Sequence, residues 1–267
     1  MAKQESIIEF VGTIGKMTFY KSDGKYYVKK KGGMSRERIL NDPELGRIRE
    51  NMSEFGGAAQ LAGIFRQGLS PLFQALGDRK VSSRFTGLLR KVNGAASEGK
   101  RGQRPFHILA NKRFLERFEC NRTQKFGESF RVIVDDPVAD ANRGVVTWTV
   151  PDFHTEKDLY IPKGATHVQL ILASKVLSDY EYNENDKGFA LVEPELAKKL
   201  AVDYSAPMAI GDMVGGDTVL STDLGLTEAL PDTVGVVNFV GIQFYQEVHG
   251  ELSLFQGGQA MQLINVV

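Results

Sequence analysis

One string of eight residues, at 94–101, comes closest to a motif that carries chemistry. It reads GAASEGKR and matches the first seven positions of the phosphate-binding pattern G-x-x-x-x-G-K-[ST]. Arg101 stands at the eighth position, where a Ser or Thr hydroxyl would hold magnesium. The string also follows a predicted helix, whereas a phosphate-binding loop follows a strand. We therefore expect a solvated loop and no nucleotide site.

Metal ligands are too scattered along the sequence to predict a metal site. A single cysteine, Cys120, removes both a zinc cluster and an intrachain disulfide framework from consideration. Residues 183–188, NENDKG, resemble a calcium loop, but Lys187 occupies a ligand position and no acid closes the loop. The histidines are widely separated: His107, His154, His167 and His249.

The sequence contains neither the G-x-S-x-G nor the H-E-x-x-H motif of hydrolases. Carboxylate pairs such as Asp135 with Asp136, or Asp212 with Asp217, are typical of solvated turns rather than of an active site. We expect a non-enzymatic protein with no catalytic residue, no cofactor and no bound metal.

Aromatic and basic residues are concentrated near the N-terminus. A run of three lysines ends a segment that contains two pairs of aromatic residues. Aromatic rings beside cations can bind single-stranded nucleic acid by stacking and phosphate contact. Alternatively, the rings pack across strands and the lysines keep an edge strand soluble. The residues concerned are Phe19, Tyr20, Tyr26, Tyr27, Lys29, Lys30 and Lys31.

The elements that must position these residues begin with a hairpin. Two runs, 17–21 and 25–31, flank Asp23-Gly24, a pair suited to a tight turn with positive φ angles. A further strand is expected over residues 7–11. A helical section follows, with Asp42 as N-cap and Pro43 at the first helical position. Its apolar residues recur at spacings of three and four through Phe65.

The sequence changes character at residues 93–105, a polar, glycine-rich loop. Beyond it, alternating patterns predict strands at 128–134, 145–150, 167–173, 234–248, 251–256 and 259–267. Residues 192–202 predict one short helix. The fold class is therefore α+β: an N-terminal β-hairpin and helical hairpin, then an antiparallel, immunoglobulin-like β-sandwich. We expect two domains, 1–104 and 105–267.

Charge divides along the chain in the same way. Residues 1–104 carry 20 Lys+Arg against 10 Asp+Glu, and residues 105–267 carry 13 against 23, although the net charge is zero. Complementary halves favour electrostatically steered association. The alternative is two solvated surfaces that differ in charge. The N-terminus lacks a secretory signal pattern and no apolar run could span a membrane, so we expect a cytoplasmic protein, with signal-independent export as the alternative.

The segment GTIGKMTFYKSDGKYYVKKKGGMSRERILNDPELGRIRENMSEFGG resembles a family of uncharacterised proteins from Bacteroidota. Members open with G-x-x-G-x-x-x-F/Y-Y, continue with a basic strand, and then carry N-D-P and R-x-R-E-N. The ending GIQFYQEVHGELSLFQGGQAMQLINVV resembles that of the same family. The resemblance implies no particular activity.

These features together favour a structural protein that self-assembles head to tail as a filament, ring or tube subunit. The partner is another copy of the chain, and the predicted contact residues are the seven aromatic and basic residues above together with Val266 and Val267. An apolar terminus of this kind is typical of a packed strand. Two alternatives stay open: a nucleic-acid-binding protein that uses the basic half, and a carbohydrate-binding or hydrolytic β-sandwich.

Overall fold

The computed structural model describes residues 2–5 and 8–267. It combines helices with antiparallel sheets, which confirms the α+β class. The chain divides into two compact units, Met1–Arg49 and Glu50–Val267. This division lies within the predicted helical section rather than at residue 104.

The helices are α1 (Arg36–Asn41), α2 (Gly46–Arg66), α3 (Ser70–Leu76), α4 (Val81–Gly94) and α5 (Phe126–Ser129), with 3₁₀ turns at Pro43–Leu45, Leu109–Phe114 and Leu196–Lys198. The strands are β1 (Ala2–Lys3), β2 (Gly12–Ile14), β3 (Met17–Ser22), β4 (Lys25–Lys30), β5 (Phe118–Glu119), β6 (Val138–Ala139), β7 (Val145–Val150), β8 (His167–Ser178), β9 (Tyr180–Asn183), β10 (Gly188–Leu191), β11 (Leu200–Tyr204), β12 (Met208–Ala209), β13 (Thr218–Asp223), β14 (Val234–Val248), β15 (Glu251–Leu254) and β16 (Ala260–Val266).

The first unit contains a four-stranded antiparallel sheet in the order β1-β4-β3-β2, here called the N-terminal sheet. Its hairpin is confirmed: Asp23 and Gly24 connect β3 to β4 with φ angles of 49° and 77°. Two positive φ angles in succession are what a type I′ turn requires. Of the strand expected at 7–11, Ile7 lies outside the described residues, and residues 8–11 are not in a strand.

A seven-stranded antiparallel sheet organises the second unit. Its path is β11-β8-β14-β16-β5, with β12 paired to β8 and β15 paired to β14. The long strands β8 and β14 pair from His167↔Tyr245 to Ser178↔Val234. A three-stranded sheet, β13-β7-β6, and the hairpin β9–β10 complete the unit.

The two faces of the large sheet bury different residues, because successive side chains of a strand point to opposite sides. Ile171, Ala173 and Leu177 of β8 share one core with apolar residues of α2, α3 and α4. Leu170 and Leu172 of the same strand share a second core with the small sheet, including Trp148 of β7. Residues on both sides of the predicted 104/105 boundary therefore belong to one core.

Helix α2 is continuous through Gly56 and Gly57, where the small residues predict a close approach. A Cβ atom on Gly57 would lie 2.7 Å from Cδ2 of Phe189 in β10, closer than side chains pack. Asp42 caps the preceding 3₁₀ turn, accepting a hydrogen bond from the Glu44 N–H at 3.0 Å. The predicted cap is therefore confirmed, although the α-helix itself begins at Gly46.

Two predicted elements are wrong. Residues 128–134 form no strand. Phe126–Ser129 is one helical turn, and the Phe126 ring stacks on the ring of Phe130, which follows the turn, at a centroid distance of 5.2 Å. Residues 192–202 form no α-helix; a 3₁₀ turn at Leu196–Lys198 leads directly into β11. Hydrogen bonding of β11 along the edge of β8 accounts for the second difference.

Candidate self-association surfaces

The predicted contact residues in the hairpin lie on two opposite faces of the N-terminal sheet. Cross-strand partners share a face, so the pair Tyr20↔Tyr27 lies opposite to the pair Phe19↔Val28. The Tyr20 and Tyr27 rings stack at 5.7 Å, and the Lys29 ammonium lies 5.3 Å from the centre of the Tyr20 ring. This face is a mixed tyrosine and lysine surface.

The opposite face is more apolar and is called here the apolar face of the N-terminal sheet. The register Gly12↔Phe19 and Ile14↔Met17 brings residues of β2 beside Phe19. Phe10 also contacts the Phe19 ring at a centroid distance of 5.9 Å. Ile14 is 61% and Met17 is 47% exposed. The face is formed by Phe10, Ile14, Met17, Phe19 and Val28, with Lys21, Tyr26 and Lys30 on the same side.

Within the described residues of the first unit, no side chain is buried. The strands are held by their ladder hydrogen bonds, by partial ring contacts and by exposed or half-buried side-chain hydrogen bonds such as those between Gln4 and the Phe10 backbone. A small sheet of this kind needs an apolar face covered to be stable in water. Strand β2 also ends the sheet, and sheet edges are sites where further chains can pair.

The two C-terminal residues are placed differently from the prediction. Val266 of β16 is fully buried, and it pairs with Val237 of β14. Val267 exchanges backbone hydrogen bonds with Val236 at 2.7 and 3.0 Å. The expected packing of the terminus as a strand is confirmed, but that packing is internal to the second unit, so the Val266 side chain is not available to a second copy.

An acidic cleft of about 520 Å³ lies beside the small sheet of the second unit. Its walls contain three carboxylates and no Lys, Arg or His: Ile133, Val134, Asp135, Asp136, Val138, Thr147, Thr149, Pro151 and Asp217. Ile133 is 95% and Val138 is 67% exposed, so the cleft combines negative charge with apolar surface. Asp136 accepts a hydrogen bond from Arg117 at 2.7 Å.

The phosphate-loop-like string at 94–101 is bordered by ionic contacts rather than by a strand. Gly94 is the last residue of α4. Glu98, within the string, lies 2.6 Å from Nε2 of His107, and Asp179 lies 2.9 Å from Nδ1 of the same ring. Burial lowers the pKa of His107, but the hydrogen bonds that its ring donates to the carboxylates of Asp179 and Glu98 outweigh burial, so the pKa is raised.

A second ionic cluster lies just beyond the string. Glu54 of α2 is completely buried and accepts hydrogen bonds from Arg90, from Arg104 and from the Gly102 N–H. Burial raises the pKa of Glu54, but the bonds from Arg104, Arg90 and Gly102 outweigh burial and lower it to about 2. The cluster joins two helices to the following loop, which is a structural arrangement.

The residues considered for metal binding do not come together. In the part of the chain that the structure describes, His, Cys, Asp and Glu side chains form no group of three or more that could hold a metal ion. Asn183 and Gly188, which bound the calcium-like string, instead face each other in the β9–β10 hairpin. None of the helices formed by residues 2–5 and 8–267 has the length and apolarity needed to cross a membrane.

No protein-family model, curated protein or solved structure matches the chain.

Proposed function

We propose that the chain is a non-enzymatic structural subunit that associates with further copies of itself head to tail, as a ring, tube or filament. The observation that carries this proposal is the N-terminal unit, which buries no described residue yet exposes Ile14 and Met17 on one face of a four-stranded sheet. Covering that face removes apolar surface from water, which is favourable by roughly 25 cal/mol per Å².

The distribution of charge supports a second copy of the chain as the occupant of that face. Residues 1–49 contain 11 Lys+Arg against 6 Asp+Glu, and residues 50–267 contain 22 against 27. The two units thus carry opposite net charges of equal size, so the first unit of one copy attracts the second unit of another. A contact between unlike surfaces is heterologous, and repetition of it gives closed rings or open helices.

The acidic cleft is the surface that best fits the apolar face of the N-terminal sheet. Lys21 and Lys30 flank that face and would meet Asp135, Asp136 and Asp217. Exposed Ile14 and Met17 would pack on exposed Ile133 and Val138. Apolar contact would supply most of the binding energy, while the charges set orientation and association rate.

We propose further that the second unit is immunoglobulin-like, and nucleic-acid binding is the alternative function. The immunoglobulin-like interpretation is supported by two antiparallel sheets that share a core around Trp148. Nucleic-acid binding is supported by the contact of Lys29 with the Tyr20 ring on the opposite sheet face. We favour self-association because stacking of Tyr20 on Tyr27 leaves these rings partly occupied.

Charge exchange tests the proposed contact. Lys21, Lys30 and the neighbouring Lys31 are changed together to Glu, and Asp135, Asp136 and Asp217 are changed together to Lys. Sedimentation velocity and negative-stain microscopy at low salt should show assemblies for the unaltered chain and monomers for each triple variant. A chain that carries both sets should assemble again, because the attraction is restored with reversed signs.

A mixture of the two triple variants contains one unaltered pair of surfaces and one charge-reversed pair, both attractive, and should therefore form assemblies in which the variants alternate. The matched control changes three exposed lysines outside the cleft, Lys157, Lys163 and Lys187, to Glu, and it should assemble normally. Deletion of residues 1–31 should leave a monomer. A monomeric full-length chain at high concentration and low salt would refute the proposal. Tight, salt-dependent binding of single-stranded DNA by that monomer would favour the nucleic-acid alternative.

A further inference from the structure

A lysine stands in the middle of the large sheet of the second unit. Lys175 belongs to β8, where it pairs with Leu200 of β11 on one side and Val237 of β14 on the other. It is only 3% exposed. Alternation along the strand places it on the same face as Ala173 and Leu177, which share the core with the helices. Lysine is almost never buried to this extent unless it is paired.

The ammonium group of Lys175 has no partner in the described part of the structure. Neither a hydrogen bond nor an ion pair involves its Nζ atom. Burial alone lowers the pKa of Lys175, with no carboxylate to oppose it. The Nζ atom keeps some contact with solvent, and a largely desolvated ammonium group gains from any anion that can reach it.

Lys175 lines a cleft that such an anion could enter. The cleft has a volume of about 390 Å³, within the range of small-molecule sites. Its lining contains two lysines and one glutamine but no carboxylate: Ile64, Gln67, Gly68, Lys175, Leu191, Pro194, Ala197, Lys198 and Leu200.

The second lysine of the lining differs from the first. The Lys198 side chain is 70% exposed, and its Nζ lies 2.6 Å from Oε1 of Glu195. Its charge is therefore already partnered and solvated. Lys175 is the lining residue whose charge lacks a partner, and most of the other lining residues are apolar.

We propose that this cleft binds a small monocarboxylate with an apolar body, the carboxylate accepting hydrogen bonds from Lys175 Nζ and the body packing on Ile64, Leu191 and Leu200. A charge-assisted bond of this kind is stronger than a neutral one. The apolar walls supply affinity, while the single ammonium group selects a carboxylate over a neutral head. The site lies within the second unit and does not depend on self-association.

Octanoate and octanol are a suitable pair of probes, because they share an alkyl chain and differ in the charged head. Isothermal titration calorimetry on the full chain should show saturable binding of octanoate and at least about tenfold weaker binding of octanol. Lys175→Met should weaken octanoate binding at least about tenfold. Lys198→Met, the matched control in the same lining, should leave octanoate affinity within about twofold.

Folding is checked separately from binding. Lys175→Met removes the unpaired ammonium group and should melt at or above the temperature of the unaltered chain in the absence of ligand. Lys175→Gln, which keeps a polar side chain without charge, serves as a second variant. Octanoate should raise the melting temperature of the unaltered chain and of Lys198→Met only. Absence of saturable octanoate binding, equal binding of octanol, or unchanged octanoate affinity in both Lys175 variants would overturn the proposal.

Discussion

Arg104 Nη2 lies 2.7 Å from Oε2 of Glu54, a carboxylate with no exposure to solvent. Removal of one partner from a buried ionic cluster leaves the others uncompensated, which costs about 3–5 kcal/mol. We therefore expect Glu54→Gln to lower the free energy of unfolding by an amount of that order, measured by urea denaturation. Glu50→Gln is the control on the same helix: its ion pair with Arg101 is partly exposed and is worth about 1 kcal/mol or less. Equal effects of the two changes would contradict this expectation.

The Glu54 cluster also sets an acid limit to stability. Its pKa lies at about 2 in the folded chain, against 4.5 for the unperturbed group. A lowered folded pKa contributes stability that is present above the unfolded value and is lost as pH falls towards the folded value. The free energy of unfolding should decline with acidification in this range, and the decline should be smaller in Glu54→Gln. Parallel pH profiles for the two proteins would show that other groups dominate.

His107 should give the opposite dependence on pH. Its folded pKa is raised above 6.5 by Asp179 and Glu98. A raised folded pKa contributes stability that is complete below the unfolded value and is lost as pH rises through the folded one. We expect His107→Gln to destabilise the chain by about 1 kcal/mol near pH 6 and by less near pH 9, because Glu98 is largely exposed. His249→Gln, in an exposed turn, should change stability little at either pH.

The core shared by the helices and the large sheet predicts which fragments of the chain can fold on their own. Residues of α2, α3 and α4 cover one face of the large sheet, including Phe239, whose ring contacts Phe65 and Phe73. A fragment 105–267 would expose that face and should aggregate, whereas a fragment 50–267 should give a cooperative thermal transition. Circular dichroism and light scattering on both fragments distinguish these outcomes. A soluble, cooperatively folded 105–267 would support the domain boundary predicted at residue 104.

Cys120 should be unreactive in the folded chain. It is fully buried, and burial raises the pKa of its thiol despite the nearby Arg84. Because the thiolate is the reactive form, a thiol reagent should label Cys120 only in denaturant. Rapid labelling of the native protein would show that this part of the core opens readily.

Alternating patterns predict the strands accurately where the alternation is long and undisturbed. Residues 145–150 and 234–248 are strands with the expected bounds. The spacing of apolar residues predicts helix α2 with Met52 and Phe55 on its buried stripe, but both are more than half exposed, while Glu54 is buried. A charged residue in a helix is normally predicted to face solvent. The sequence does not indicate otherwise for Glu54, because the arginines that neutralise it, Arg90 and Arg104, are distant along the chain.

The sequence predicts the candidate self-association surfaces only in part. Aromatic and basic residues of the hairpin were recognisable, but their division between two faces depends on the register with β2. The acidic cleft joins Asp135 and Asp136 to Asp217, which only the folded sheet brings together. Lys175 stands out in the sequence because it interrupts the apolar run HVQLILASKVLS. A strand in which this lysine faced solvent would have the same sequence pattern, so the pattern alone does not predict a buried lysine.

The pairing of β8 with β14 has a kinetic consequence. It joins Ser178 to Val234 and His167 to Tyr245, partners that are distant in sequence. Helices α2, α3 and α4, in contrast, form through hydrogen bonds between residues that are near in sequence. Bringing distant strands together lowers the conformational entropy of the chain before the stabilising contacts between them form. Pairing of this kind is therefore slow. Helical signal should therefore recover early in refolding, and the rate-limiting step should be the meeting of the two long strands. Until the strands pair, the apolar faces of the helices stay exposed and can contact other unfolded chains, which favours aggregation at high protein concentration.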